Sequence, residues 1–258
     1  MSKTRLRACK NISTDKLADL SDFIGDKVIS AARKQIFQLS CLLNEDEEKY
    51  SEIKANANEI IKLQSEYCSY CNILANRNKI EFKKLHIKSA LLDIKQNIAA
   101  YAERKNMEID ISVKDEVIAA VDIMKFYYSV LYVLRNSLEN SCDGSKIRIS
   151  VSITTKYVKI RISDGGKGMD KETVEHCSEP FFSKTGGLGL GISVAKNNIE
   201  AMGGNFDIKS EENKGTVVII SVLKADYLNE EKIVEVKDTL DDRGSIDEMV
   251  MTIFSSLK

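Results

Sequence analysis

The chain has 258 residues, of which 43% are hydrophobic and 30% are charged, and its formal net charge is −1. That length allows one or two domains, and the near-neutral charge gives no reason to expect a nucleic acid or an anionic membrane as a partner. No apolar run approaches the length of a membrane-spanning helix, so membrane insertion is not expected. The six scattered cysteines indicate free thiols and predict a cytoplasmic protein.

The first third of the chain carries two amphipathic helical patterns. From Ser21 to Asn44, apolar residues recur at steps of three and four. After an acidic connector at residues 45–48, the second pattern forms an unbroken heptad seam, made of Ile53, Ala57, Ile60, Gln64, Tyr67, Cys71 and Leu74. We therefore expect an N-terminal segment over residues 1–20 and an antiparallel helical hairpin over residues 21–78. Because one hairpin buries little surface, pairing of two copies into a four-helix bundle is favoured, with packing on the rest of the chain as the alternative.

Beyond residue 78, strands and helices follow in separate runs. A helix is predicted over Ile123–Asn140, and an alternating hairpin of strands over Lys146–Ile153 and Tyr157–Ser163. A second helix, from Ile192 to Met202, is followed by two more strands. This order predicts an α+β fold, an α/β sandwich with a mostly antiparallel sheet, over residues 79–225.

The C-terminal extension, residues 226–258, carries a weaker pattern. Ile246, Met249, Ile253 and Leu257 fit one face of an amphipathic helix. We expect this helix to pack on a neighbouring element, with binding of a partner as the alternative.

Two glycine-rich loops carry the clearest functional signal. Asp164 opens the first loop, Asp164–Met169, and the second loop, Gly187-Leu-Gly-Leu-Gly191, leads directly into the second predicted helix. A carboxylate can hydrogen-bond a base, and glycines let the backbone approach phosphates closely at a helix N-terminus. Together the loops predict a nucleotide site.

These residues resemble the ATP-binding domain shared by histidine kinases, gyrase, Hsp90 and MutL, the GHKL superfamily. The four boxes of that family occur in order over Asp122–Leu223. They are the N-box Arg135–Asn140, the first glycine box at Asp164, the F-box with Phe181 and Phe182, and the second glycine box at Gly187–Gly191. The resemblance implies ATP and Mg²⁺ as ligands. Asn140 would hold the Mg²⁺, for which an amide oxygen is a suitable hard ligand.

The same resemblance implies roles for further residues. Asp164 would accept a hydrogen bond from the adenine amino group, and Phe181 and Phe182 would anchor a short lid over the nucleotide. Lys184 in that lid would contact the γ-phosphate, or would be only solvated surface. The nucleotide-binding residues implied in this way are Asn140, Asp164, Gly166, Gly168, Lys184, Gly187, Gly189, Gly191 and Thr216.

One residue of the N-box narrows the type of activity. Asn136 occupies the position at which hydrolases of the superfamily carry a glutamate that activates water. Because asparagine cannot accept a proton at neutral pH, simple ATP hydrolysis is disfavoured and no catalytic residue is assigned. The preceding hairpin is similar to the dimerisation and phosphoacceptor domain of histidine kinases, so the resemblance favours a kinase-type protein.

Neither histidine of the chain lies where a histidine kinase carries its phosphorylated histidine. A histidine kinase phosphorylates a histidine on the first helix of its hairpin, but this chain has only His86 and His176. The expectation is a histidine-kinase-like protein of two-component signalling that dimerises through its hairpin and works with a response regulator or another signalling protein. Whether it is a protein kinase stays open. The alternatives are a pseudokinase or scaffold whose ATP binding gates a partner, and a serine kinase of the anti-sigma-factor type, which usually has glutamate in place of Asn136.

Overall fold

The computed structural model describes residues 60, 62–63, 66–74, 79–184, 188–229, 233 and 240–254. The chain divides into two compact units, Met1–Lys79 and Ile80–Lys258. The described residues of the first unit are helical except for Lys79. Of the residues in its predicted seam, Cys71 is buried while Ile60 and Leu74 are exposed. The N-terminal segment 1–20 and the first predicted helix, residues 21–44, lie outside the described residues, so the antiparallel hairpin and the four-helix bundle stay predictions.

The described residues of the second unit contain seven strands and five α-helices. In chain order they are β1 (Lys83–His86), α1 (Ile87–Arg104), β2 (Glu108–Ser112), β3 (Ile118–Val121), α2 (Ile123–Asn140), β4 (Lys146–Ile153), β5 (Tyr157–Ser163), α3 (Lys171–His176), α4 (Gly191–Ala201), β6 (Asn205–Glu211), β7 (Gly215–Leu223) and α5 (Leu240–Phe254). A short 3-10 turn, Ala225–Tyr227, follows β7. No helix among these described residues is long and apolar enough to cross a bilayer.

The main sheet has five strands in the order β2-β4-β5-β7-β6. Its β2–β4 pair is parallel and the other three pairs are antiparallel, so the predicted, mostly antiparallel sheet is confirmed. Alternation along the strands places one set of side chains in the core, including Ile147, Ile149, Ile160 and Ile162. Helices cover this apolar face, which gives the predicted α/β sandwich.

Helix α2 is the central helix of the unit, and its bounds agree with the sequence. It begins at Ile123 because the side chain of Asp122 accepts a hydrogen bond from the Lys125 amide, an N-cap that stabilises a helix by about 1 kcal/mol. Its apolar residues are almost all buried, and α4 and α5 both pack against it. Its last residue is Asn140, so the N-box forms the C-terminal turns of this mostly buried helix.

Several elements differ from the sequence-based expectation. Residues 83–86 form the short β1, which pairs antiparallel with β3 inside the second unit. The sequence did not predict β3 or α3, since each is too short to show a clear period. The C-terminal helix spans Leu240–Phe254 and packs on α1 and α2.

Candidate nucleotide-binding site

The Asp164 carboxylate is held by three hydrogen-bond donors. Asp164 directly follows β5, and its Oδ1 accepts from the amides of Gly166 and Thr216, both at 3.0 Å. Its Oδ2 accepts from Ser137 Oγ at 2.9 Å. Because the donors come from the first glycine loop, β7 and α2, three separate parts of the fold fix the orientation of one acceptor group.

Thr216 ties the first glycine loop to the sheet. Besides its amide bond to the carboxylate, its carbonyl accepts from the Asp164 amide at 3.0 Å. Its hydroxyl lies 2.9 Å from Ser210 Oγ on the neighbouring strand β6. In the structure, therefore, the backbone of Thr216 contacts Asp164 and its side chain faces β6.

Asn140 and Asn136 lie one turn apart at the end of α2. Asn140 Nδ2 donates to the Asn136 carbonyl at 2.8 Å, so the side-chain atom that Asn140 can offer to a cation is Oδ1. The Asn140 carbonyl accepts from the Lys167 amide at 3.1 Å, which joins the end of α2 to the first glycine loop. A carboxamide oxygen of this kind suits Mg²⁺, which keeps several waters and takes few protein ligands.

The backbone conformation at position 168 requires a glycine. Its φ is +64°, a left-handed value that favours glycine, and a Cβ there would lie 2.0 Å from the Glu211 carbonyl oxygen. The Lys167 carbonyl next to it accepts from the Asn213 amide at 2.7 Å. The first glycine loop is thus packed directly against the β6–β7 turn.

The F-box and the second glycine box contact each other. The Phe181 amide donates to the Gly189 carbonyl at 3.1 Å. A Cβ on Gly189, whose φ is +67°, would lie 2.3 Å from the Phe182 carbonyl oxygen. Gly191 begins α4, and Gly187 lies outside the described residues. The segment that leads into α4 is therefore in contact, through Gly189, with Phe181 and Phe182.

Lys184, the lysine proposed to contact a phosphate, is bound to the start of α3. Its ammonium lies 3.1 Å from Asp170 Oδ2 and also donates to Thr173 Oγ1. The Thr173 hydroxyl and amide and the Lys184 ammonium hold the pKa of Asp170 down at about 2. The structure thus gives this lysine an anionic protein partner.

The two histidines lie in different parts of the second unit. His86 is the last residue of β1 and is exposed. His176 ends α3, with Nδ1 2.9 Å from Glu179 Oε1, and the hydrogen bond to Glu179 raises the pKa of its imidazole. Its ring centroid lies 6.1 Å from that of Phe182, so His176 borders the F-box.

The structure brings the predicted residues together in two groups. Asn140, Asp164, Gly166, Gly168 and Thr216 lie in or against the first glycine loop, while Phe181 and Phe182 contact Gly189. Sequence reasoning missed Ser137, which supplies the side-chain bond to Asp164. Its position within the N-box, on the same helix as Asn140, was the available signal.

This arrangement fits a purine nucleotide with Mg²⁺. Asp164 offers a fixed acceptor for an amino group, Asn140 Oδ1 can ligate the cation, and the amides at the start of α4 suit phosphate oxygens. The side chain of Asn136 cannot act as a general base toward water.

A family of known proteins matches the part of the chain that contains these residues. Residues 122–226 match the family described as histidine kinase-, DNA gyrase B-, and HSP90-like ATPase. The sensor histidine kinase YclK of Bacillus subtilis (strain 168) is 30% identical over 182 residues, which span 66% of this chain and 38% of that protein.

Two solved structures share the fold at low identity. Full-length ShkA in complex with AMPPNP has a TM-score of 0.70 at 17% identity, covering 83% of this chain and 47% of that one. Histidine kinase ThkA in complex with response regulator protein TrrA has a TM-score of 0.57 at 18% identity, covering 86% and 64%. The chain spans less than half the length of the first curated relatives it matches, at 38% and 37%.

Proposed function

Since this chain is a histidine-kinase-like protein of the GHKL superfamily, with its ATPase-family domain at residues 122–226, we propose that it binds ATP with Mg²⁺ and acts as an ATP-dependent protein of two-component signalling. The ATP contacts are those of the first glycine loop, the end of α2 and the start of α4. The proposal includes a cytoplasmic location and a homodimer formed through the hairpin at residues 21–78.

The observation that carries ATP binding is the fixed carboxylate of Asp164. Three donors hold it, and an ionised carboxylate can only accept hydrogen bonds. The 6-amino group of adenine is a donor and matches it, whereas the 6-oxo group of guanine is an acceptor and would leave both groups without a partner. The site therefore favours ATP over GTP.

Asn140 is the residue that we propose to hold Mg²⁺ through Oδ1. When bound, the cation would neutralise the charge of the phosphates and hold them in position. Gly187, Gly189 and Gly191 of the second glycine box would let the backbone approach those phosphates, and Phe181 and Phe182 would anchor the lid.

Phosphoryl transfer to a protein, rather than to water, is the activity that the site supports best. Asn136 supplies no general base, so hydrolysis lacks the group that would activate water. The partner that we propose is a response regulator. The solved complex of ThkA with response regulator TrrA supports this choice, because ThkA shares the fold of this chain.

A nucleotide-gated scaffold is the second candidate. It is favoured by the positions of His86 and His176, since both lie in the second unit and neither lies in the predicted hairpin. In that case ATP binding changes the affinity for a partner, and no phosphate is transferred.

Two measurements test these proposals. Isothermal titration of the protein with Mg²⁺-ATP should give saturable binding that is lost in Asp164→Ala and retained in Asp110→Ala, a matched change of an exposed aspartate on β2. Equal affinity in wild type and Asp164→Ala would reject the assigned site. Incubation with γ-³²P-ATP and candidate response regulators then separates the two functions, because label on protein indicates transfer and ATP binding without label favours the scaffold.

A further inference from the structure

The two oxygens of the Asp164 carboxylate are held in different ways. Oδ1 accepts two backbone amides, from Gly166 and Thr216, whereas Oδ2 accepts one hydroxyl, from Ser137. Ser137 lies in α2 and only 4% of it is exposed. Its hydroxyl therefore donates to Asp164 from a buried position on α2.

The number of lone pairs on each carboxylate oxygen shows which oxygen can still accept a hydrogen bond from a ligand. Each oxygen of an ionised carboxylate has about two acceptor sites. The two amides at 3.0 Å occupy both sites of Oδ1, while Ser137 occupies one site of Oδ2. One acceptor site therefore remains for a ligand, and it is on Oδ2.

We propose that Oδ2 is the atom that reads the base and that Ser137 is the positioning residue that sets this oxygen for a 6-amino purine. This inference rests on the proposed binding of ATP at Asp164. The amides restrain Oδ1, and the hydroxyl prevents the carboxylate plane from turning about its Cβ–Cγ bond. Ser137 thereby adds base specificity without itself contacting the nucleotide.

The test compares two nucleotides that differ only at the base. Purine riboside 5′-triphosphate carries hydrogen in place of the 6-amino group of ATP, so it lacks the donor that Oδ2 would accept. In Ser137→Ala, the affinity for ATP is expected to fall about three- to tenfold, the range of one ordinary hydrogen bond. The affinity for the analogue is expected to change less than twofold.

Ser129→Ala is the matched control. Ser129 lies on the same helix, is 0% exposed, and donates to the carbonyls of Lys125 and Ala195. This variant loses a buried hydroxyl from α2 but leaves the bonds of Asp164 in place, so its affinity for ATP relative to the analogue should equal that of wild type.

Asp164→Asn gives a second test that does not depend on how Ser137→Ala folds. The two amides require an oxygen at the Oδ1 position, so the asparagine must place its amino group at the position of Oδ2. ATP should then lose its advantage over the analogue, because an amino donor would face the amino group of adenine. If ATP keeps its advantage in Asp164→Asn, Oδ2 does not read the base.

The outcomes separate this inference from the proposed function. Equal loss of both nucleotides in Ser137→Ala, or an unchanged affinity for ATP, overturns the role of Ser137 even when wild type binds ATP and Asp164→Ala does not. Failure of wild type to bind ATP rejects the proposed function itself.

Discussion

Lys184 Nζ lies 3.1 Å from Asp170 Oδ2, so Lys184 is ion-paired with the N-cap residue of α3. Lys184 is also the residue proposed to contact the γ-phosphate. Both roles draw on the same ammonium group, so we expect bound ATP to compete with Asp170 for it.

If ATP and Asp170 compete for Lys184, replacing Asp170 and replacing Lys184 should change the affinity for ATP in opposite directions. Asp170→Asn keeps an N-cap acceptor for Thr173 but removes the charge, so it should raise the affinity for ATP by about two- to fivefold, the range of an exposed ion pair. Lys184→Gln should lower the affinity. Titration with Mg²⁺-ATP measures both effects, and Lys146→Gln, which breaks the exposed pair with Glu108 at the sheet edge, is the control. If Asp170→Asn binds ATP no better than wild type, the two groups do not compete.

The low pKa of Asp170 fixes the pH range of this effect. Its pKa lies at about 2 in the folded protein, below the ordinary value of 3.8. A lowered pKa stabilises the fold above the ordinary value, and the contribution is lost as the pH falls toward 2. Between pH 6 and pH 8 Asp170 stays ionised, so the gain from Asp170→Asn should be the same at both values. A gain that disappears within this range would point to another titrating group.

His176 should show the opposite sign of pH dependence. The hydrogen bond to Glu179, helped by the charges of Glu175 and Glu172, raises its pKa above the ordinary value of 6.5. A raised pKa stabilises the fold fully below the ordinary value, and the contribution is lost as the pH rises through the folded pKa. We therefore expect Glu179→Gln to lower the melting temperature more at pH 5.5 than at pH 9.

Proton NMR can follow this titration directly. In a His86→Gln background, His176 supplies the one remaining imidazole signal of the chain. Its pKa should lie above 6.5 in wild type and fall when Glu179 is replaced by Gln. Equal pKa values in the two proteins would show that Glu179 is not the partner of His176 in solution.

Gly191 should be intolerant of any side chain. A Cβ at this position would lie 1.9 Å from Cε1 of the buried Tyr132 ring, which also packs against Tyr128. Gly191→Ala should therefore reduce the free energy of unfolding by about 1–3 kcal/mol, as overpacking of a core does. Gly165→Ala is the matched control, because a Cβ there has no atom within 4 Å. Denaturant unfolding of both variants measures the difference, and equal stability would show that the Tyr132 ring can move aside.

The features best predicted from the sequence have strong local signals. The bounds of α2, β4 and β5 agree with the structure because Asp122 caps the helix and the strands alternate cleanly between apolar and polar residues. Asp164 and Asn140 were found because each belongs to a motif with a fixed order. In contrast, the bond between Ser137 and Asp164 joins residues far apart in the chain, and a serine in a helix gives no sign of such a partner.

The lid shows a second limit of sequence reasoning. The resemblance implied a contact of Lys184 with the γ-phosphate, but its pairing with Asp170 depends on α3, whose 6 residues are too few to show a helical period. The C-terminal helix is a similar case. Its apolar spacing predicted an amphipathic helix, yet only the folded structure shows which helices it covers.

The packing of α5 predicts that the C-terminal residues stabilise the second unit. Phe254 is 0% exposed, and its ring centroid lies 5.3 Å from that of Tyr101 on α1. Truncating a buried phenylalanine typically costs about 3–5 kcal/mol, so Phe254→Ala should strongly lower the midpoint of denaturant unfolding. Met251→Ala is the matched control, because Met251 lies on the same helix and is 59% exposed. If the two variants had equal midpoints, α5 would contribute no stability to the second unit. The buried position of Phe254 argues against that outcome.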